Sequence, residues 1–177
     1  MLYTGRGDGG ITKTFGTNDP KVSKASELPE ALGTLDELNA FIGFVCLRAV
    51  GEPRIHDALR EVQEKLFVVQ AQVAGADKKL GEGDVKTVEA VIHQIEGEIP
   101  PIKSFIVAGG TELAALIDVA RTMSRRAERR VVGVADAGLR EFPLETKAYM
   151  NRLSSLLFAL ARLANHLAGV TEENPKY

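Results

Sequence analysis

Two short stretches of this chain hold residue types that bind concentrated negative charge. The first, TGRGDGG at residues 4–10, supplies Gly5, Gly7, Gly9 and Gly10, which free successive backbone amides to turn toward one point. Thr4, Arg6, Thr12, Lys13 and Lys24 add hydroxyls and cations, a set suited to a polyphosphate. The stretch also satisfies G-x-G-x-x-G, but a dinucleotide fingerprint needs a strand before it and a helix after it. Only MLY precedes Thr4 and ITKTFGTND follows Gly10, so that reading fails on context. Two readings stay open: a phosphate cradle, or a loose N-terminal segment rich in turn-forming residues.

The second stretch is SRRAERRVV at residues 124–132, with Arg125, Arg126, Glu128 and Arg129 inside a helical pattern. Steps of three and four put Asp118, Arg121, Arg125, Glu128 and Val132 on one stripe, opposite Ile117, Ala120, Met123, Ala127 and Val131. A later helix carries a polar stripe of its own, Asn151, Ser155, Phe158, Arg162 and Asn165, beside a Leu-rich side. A basic run on a helix is also what a solvated face looks like, and the spacing alone leaves both readings standing. Asp36 is a favourable acid for a helix's first turn. An Arg partner on another helix would turn it into an oriented ion pair.

The elements that must hold these residues are helical. Residues 1–33 show neither helical nor alternating periodicity and read as a long functional loop. Thr34-Leu35-Asp36-Glu37 has the form of a capping box, followed by Leu38, Phe41, Ile42 and Val45 at helical spacing. A second helix is expected from Pro53 to Gly75, and a third from Asp84 as N-cap to just before Pro100. The fourth runs from about Thr111 to Gly133, and the fifth from Pro143 to Ala168 with Leu153, Leu156, Leu157, Leu160 and Leu163 inward. The fold class is therefore all-α, an antiparallel five-helix bundle with ferritin-like up-down packing over residues 34–168. The whole chain, 1–177, reads as one domain, and residues 169–177 as a loose polar tail.

Composition bounds the chemistry further. The chain has 177 residues, 45% of them apolar, and a formal net charge of -2, which disfavours a general nucleic-acid binder. Cys46 is the only cysteine, so no intrachain disulfide forms and a reducing compartment is expected. MLYTGRGDGG lacks the apolar core of a secretory signal, and no apolar run approaches the roughly 18 residues of a membrane span, so a cytoplasmic location is expected. His56, His93 and His166 are isolated and no Glu-x-x-His pair occurs, so a di-metal bundle lacks its ligands and no protein metal site is expected. Walker, Cys-x-x-Cys and nucleophile-elbow motifs are missing as well.

In order and spacing, YTGRGDGGITKTFG, KVSK, GTLDELNAFIG, FIVAGG, VARTMSRRAERRVV and YMNRLSSLLFALARLAN resemble the PduO-type ATP:cob(I)alamin adenosyltransferases, also called corrinoid adenosyltransferases. The resemblance covers essentially the whole chain. It implies transfer of the 5'-deoxyadenosyl group of ATP to the cobalt of cob(I)alamin, giving adenosylcobalamin and triphosphate, in a homotrimer with sites between subunits. It implies ATP, Mg2+ and a corrinoid as ligands, with a reductase and an adenosylcobalamin-dependent client enzyme as further partners. By position, Thr4, Gly5, Arg6, Gly7, Thr12, Lys13 and Lys24 would bind phosphate together with Arg125, Arg126, Glu128, Arg129 and Asn151. Asp36 would pair with Arg121, and Phe105 would press on the lower face of the corrin. The alternative is a non-catalytic cobalamin chaperone or sensor of the same fold, to which retention of the phosphate-binding residues runs counter.

Three departures stand out from the family's usual pattern. The loop commonly reads TRTGD or TKTGD, so Gly5 and Arg6 exchange the places of cation and small residue. FIVAGG replaces FILPGG, putting Ala108 where a proline is usual. Asp118 stands where His is frequent, and could compete with Asp36 for the Arg121 guanidinium.

Overall fold

A computed structural model describes residues 2–13 and 21–177. The chain opens with a small hairpin in which β1 (Ile11–Thr12) pairs antiparallel with β2 (Val22–Ser23). Five helices follow: α1 (Glu27–Arg48), α2 (Pro53–Ala74), α3 (Glu82–Glu98), α4 (Glu112–Asp136) and α5 (Leu144–Leu167).

Cross-helix contacts fix the directions. Glu30 meets Arg130 and Arg48 meets Glu112, so α1 and α4 are antiparallel. Glu128 meets Asn151 while Thr111 meets Asn165, so α4 and α5 are antiparallel too. Gln72 near the end of α2 bonds Thr146 near the start of α5, the same relation. The exception is α3 against α5: Glu89 bonds Arg152 and Pro100 bonds Arg162, which makes these neighbours parallel. Alternating helices with α3 and α5 side by side require a crossover, and residues 99–111 make it across the end of α5.

The apolar stripes meet in one core. Leu38, Ile42 and Val45 of α1, Val62, Leu66, Val69 and Val73 of α2, and Ile117, Ala120, Ala127 and Val131 of α4 are buried. They pack with Leu153, Leu156, Leu157, Leu160 and Leu163 of α5. Pro53 at the first turn of α2 and Gly75 beyond its end, at φ 96°, bound that helix as expected. Thr111 caps α4 by accepting from the amide of Ala114.

Boundaries differ from the sequence reading at the starts of α1 and α3 and at the end of α4, which runs to Asp136 rather than Gly133. Helix α1 begins at Glu27 rather than Thr34, so the leading loop ends at Ser26. Thr34 is buried within the helix, and its hydroxyl donates back to the carbonyl of Glu30 at 2.7 Å instead of capping. Pro29 fits because a first-turn amide has no helical acceptor to lose. Asp84 is the third residue of α3, not its cap: Oδ2 accepts from the amide of Gly81 at 2.7 Å while Oδ1 pairs with Lys65. The terminal residues are not loose either. Val107 N donates to Glu173 O at 2.8 Å, and Asn174 Nδ2 donates to Phe105 O at 2.8 Å, tying the tail to the crossover.

Candidate functional site

The leading loop folds on itself through its glycines. Gly5 (φ 67°) and Gly10 (φ 74°) occupy the left-handed region that side chains disfavour. Around them Asp8 N donates to Gly5 O, Gly10 N to Gly7 O, and Lys24 N to Gly10 O. A cavity of about 670 Å³ results, lined by Thr4, Arg6, Gly7, Gly9, Ile11, Thr12, Lys13 and Lys21. That volume falls in the range of small-molecule sites. Lys24 crosses the loop so closely that a Cβ on Gly7 would lie 2.8 Å from its ammonium. Of the phosphate-binding residues expected in this loop, five line the cavity, Lys24 lies against it, and Gly5 supplies its turn. Lys21 was missed; it lies inside the KVSK segment, and the hairpin pairing, with Val22 opposite Thr12, brings it to the cavity.

The α4 cluster is divided by helical geometry. Arg126 and Arg130 reach α1, where they pair with Glu37 at 2.6 Å and Glu30 at 3.2 Å. Arg121, Arg125 and Glu128 belong to the side nearer α5. Glu128 Oε1 accepts from Asn151 Nδ2 at 3.2 Å, and Asn151 Oδ1 accepts from Arg152. Arg125 is exposed and makes no ion pair among the described residues, although its carbonyl accepts from Arg129 Nη1. The stripe expected from spacing is therefore real for Asp118, Arg121, Arg125 and Glu128, while Arg126 stands about a quarter turn away from Arg125.

One turn before Arg125, Arg121 Nε donates to Asp118 Oδ1 at 2.7 Å, and its guanidinium sits 5.8 Å from the Phe158 ring centroid. Asp118 is only 8% exposed. Asp36 is exposed on α1 and does not meet Arg121 within the chain. The competition raised by the Asp118 departure is thus decided within one chain: the adjacent acid holds the guanidinium.

Arg121 and Asp118 also line a small cavity of about 30 Å³ beneath residues 106–109, together with Phe158, Arg162, Asn165 and Glu172. The loop above it presents Phe105, 78% exposed. Gly109 and Gly110, at φ 135° and 98°, turn the chain back into α4, and Asn165 clamps that turn by donating to Gly109 O and accepting from Thr111 N. A Cβ on Gly110 would collide with the Asn165 amide. Among the described residues, no three His, Cys, Asp or Glu side chains are grouped to hold a metal ion. Among those residues, no helix is long and apolar enough to cross a membrane either.

The leading loop, the Phe105 crossover and the α4–α5 stripes thus occur in one five-helix frame. A family model described as cobalamin adenosyltransferase matches residues 2–164. The chain belongs to the cobalamin adenosyltransferase family. Within it, the chain is similar to a corrinoid adenosyltransferase of Bacillus subtilis (strain 168), 38% identical over 176 residues, covering 96% of this chain and 89% of that protein. It is 36% identical over 173 residues to the corrinoid adenosyltransferase PduO of Citrobacter freundii, covering 93% of this chain but spanning only 50% of that longer relative. Among solved structures, a variant PduO-type ATP:corrinoid adenosyltransferase from Lactobacillus reuteri, complexed with cobalamin and ATP, matches with a TM-score of 0.89 and 29% identity over 100% of both chains. A second variant from that organism, complexed with ATP, gives a TM-score of 0.90 at 30% identity, over 99% of this chain and 100% of that one.

Proposed function

We infer that this chain transfers the 5'-deoxyadenosyl group of ATP to the cobalt of cob(I)alamin, releasing triphosphate. Beside family membership, the observation that carries the reading is the cavity walled by Thr4, Arg6, Gly7, Thr12 and Lys13, where hydroxyls, amides and cations face one space. Such a set matches a triphosphate, and helix α4 offers Arg125 as a further exposed cation.

The cobalt of cob(I)alamin is itself the nucleophile, so the protein need not supply a general base. The Co–C5' bond forms as the C5'–O bond to the triphosphate breaks, and the electron pair leaves with the phosphate oxygen. What the chain contributes is alignment, on the order of 7 to 11 kcal/mol of the barrier, and fixed charge facing the leaving group, a few more kcal/mol per donor. Magnesium carried on the nucleotide phosphates would add to that charge, held by the triphosphate rather than by a protein cage. Phe105 closes on the lower corrin face, where an apolar ring excludes water and cannot coordinate cobalt. The four-coordinate cobalt(II) that results is easier to reduce.

Among the described residues of one chain, the loop cavity is lined by residues of the 4–13 segment and Lys21, and none of the α4 arginines joins it. The proposed site therefore completes itself in a homotrimer, with the loop of one protomer meeting Arg125, Glu128, Arg129 and Asn151 of the next. Asp36 would then approach Arg121 across the same boundary and share it with Asp118. A cytoplasmic location, a cobalt reductase and a client enzyme for the product complete the proposal. The reaction is tested by incubating the protein with ATP, Mg2+ and chemically reduced cobalamin and following absorbance. Conversion to adenosylcobalamin with one triphosphate per turnover is expected; tight cobalamin binding without conversion would favour the chaperone reading.

A further inference from the structure

Phe105 stands in the middle of the crossover at residues 99–111, which has no regular hydrogen-bonding pattern of its own. Helix α5 holds both ends of that segment: Arg162 Nη2 donates to Pro100 O at 2.7 Å, and Asn165 grips Gly109 and Thr111. Neither anchor reaches Phe105. The backbone bonds beside the ring come from the tail, where Asn174 Nδ2 donates to Phe105 O and Glu173 O accepts from Val107 N.

The tail is itself pinned. Glu172 takes Arg162 Nε in both carboxylate oxygens, at 2.9 and 3.2 Å. Arg162 is 8% exposed, so this charge-assisted pair is shielded from water and costly to break. One guanidinium thus grips the start of the crossover and the strap that crosses its middle.

We propose that Glu172 and Asn174 are positioning residues for the adenosyl transfer, strapping the C-terminal segment over the crossover so that Phe105 is held at the height where it closes on the corrin. The proposal rests on the reading of Phe105 given above. Neither residue need touch a substrate. Their effect passes through the carbonyl of Phe105 and the Arg162 pair, and it concerns the corrinoid side of the reaction rather than ATP.

The test uses the full enzyme with cob(II)alamin and ATP, comparing wild type with Asn174→Asp, which keeps the shape and removes the donor, and with a chain ended after Thr171. The four-coordinate cobalt(II) signal is read by electron paramagnetic resonance, alongside kcat and the KM for ATP. Expected are a largely lost four-coordinate signal and kcat lowered on the order of tenfold to a hundredfold, with the KM for ATP within about twofold of wild type. A wild-type signal and kcat in both variants would overturn the proposal, as would parallel loss of ATP binding, which would make the strap a general structural support. Phe105→Ala is run beside them. If it is defective while the strap variants are normal, only the strap falls; if it too behaves as wild type, the reading of Phe105 falls with it.

Discussion

Asp118 and Arg121, one turn apart on α4, form a 2.7 Å ion pair, and the same guanidinium lies 5.8 Å from the Phe158 ring. Two constraints, one from each of two helices, thus define one cation beside the Phe105 loop. Because Asp118 is buried, removing its carboxylate leaves the half-buried Arg121 without its intrachain anion. Asp118→Ala is expected to lower stability by about 1–2 kcal/mol, seen as a fall in Tm of roughly 3–6 °C. An unchanged Tm would mean that the pair is not maintained in solution.

The division of the basic run ranks its members. Arg125 is exposed and free of ion pairs among the described residues, whereas Arg126 is engaged by Glu37. Arg125→Ala should lower kcat/KM for ATP by about a hundredfold, the scale of one lost donor to a developing negative charge. Its Tm should barely move. Arg126→Ala should cost under about 1 kcal/mol of stability, as exposed pairs do, with a smaller loss in kcat/KM. Steady-state kinetics on both variants reads this order, and equal losses would remove the distinction.

Asp84 gives the fold a pH signature. Its hydrogen bond from Lys65, supported by the amide of Gly81, holds the carboxyl below the ordinary aspartate range. A lowered folded-state pKa adds stability above the unfolded value of about 3.9, and that stability is lost as pH falls through the lower folded value. Asp84→Asn should therefore cost about 1 kcal/mol near neutral pH, and the gap from wild type should close below about pH 4. Urea titrations at several pH values measure it; a gap constant with pH would contradict the assignment.

Gly110 is required twice, by φ 98° and by the Asn165 amide against its α-carbon. Gly110→Ala should cost more than about 2 kcal/mol, since backbone strain and steric overlap add. Gly9, where an added Cβ meets nothing within 4 Å, is the control and should tolerate Ala. Thermal melts of the two variants make the comparison, and equal Tm values would argue against the clamp.

Much of this architecture could be read from local chemistry. Pro53, Gly75 and Thr111 are punctuation whose physics is contained within a few residues, and the Leu-rich side of α5 declares its burial by period. The start of α1 was misread because Pro29 and Gly33 look like loop residues, yet a first-turn proline costs the helix nothing. Thr34 and Glu37 matched a cap in spacing while the helix had already begun; Glu37 instead faces Arg126, 89 residues away. The strap was illegible for the same reason. VTEENPKY is polar and turn-prone by composition, and only Arg162 and the Phe105 carbonyl, supplied by distant parts of the chain, order it. In the site, residue types marked the groups proposed to bind phosphate, but not which α4 arginines face α1.

Coexpression of two inactive forms reads the shared site directly: one carrying Lys13→Ala and Thr12→Ala in the leading loop, the other Arg125→Ala, separated by distinct tags so that mixed oligomers are recovered. If each site joins the loop of one protomer to Arg125 of its neighbour, every recovered mixed trimer holds one intact site in three, and adenosylcobalamin formation returns to about a third of the wild-type level. Mixed oligomers as inactive as either parent would place loop and arginine in the same chain and contradict the account.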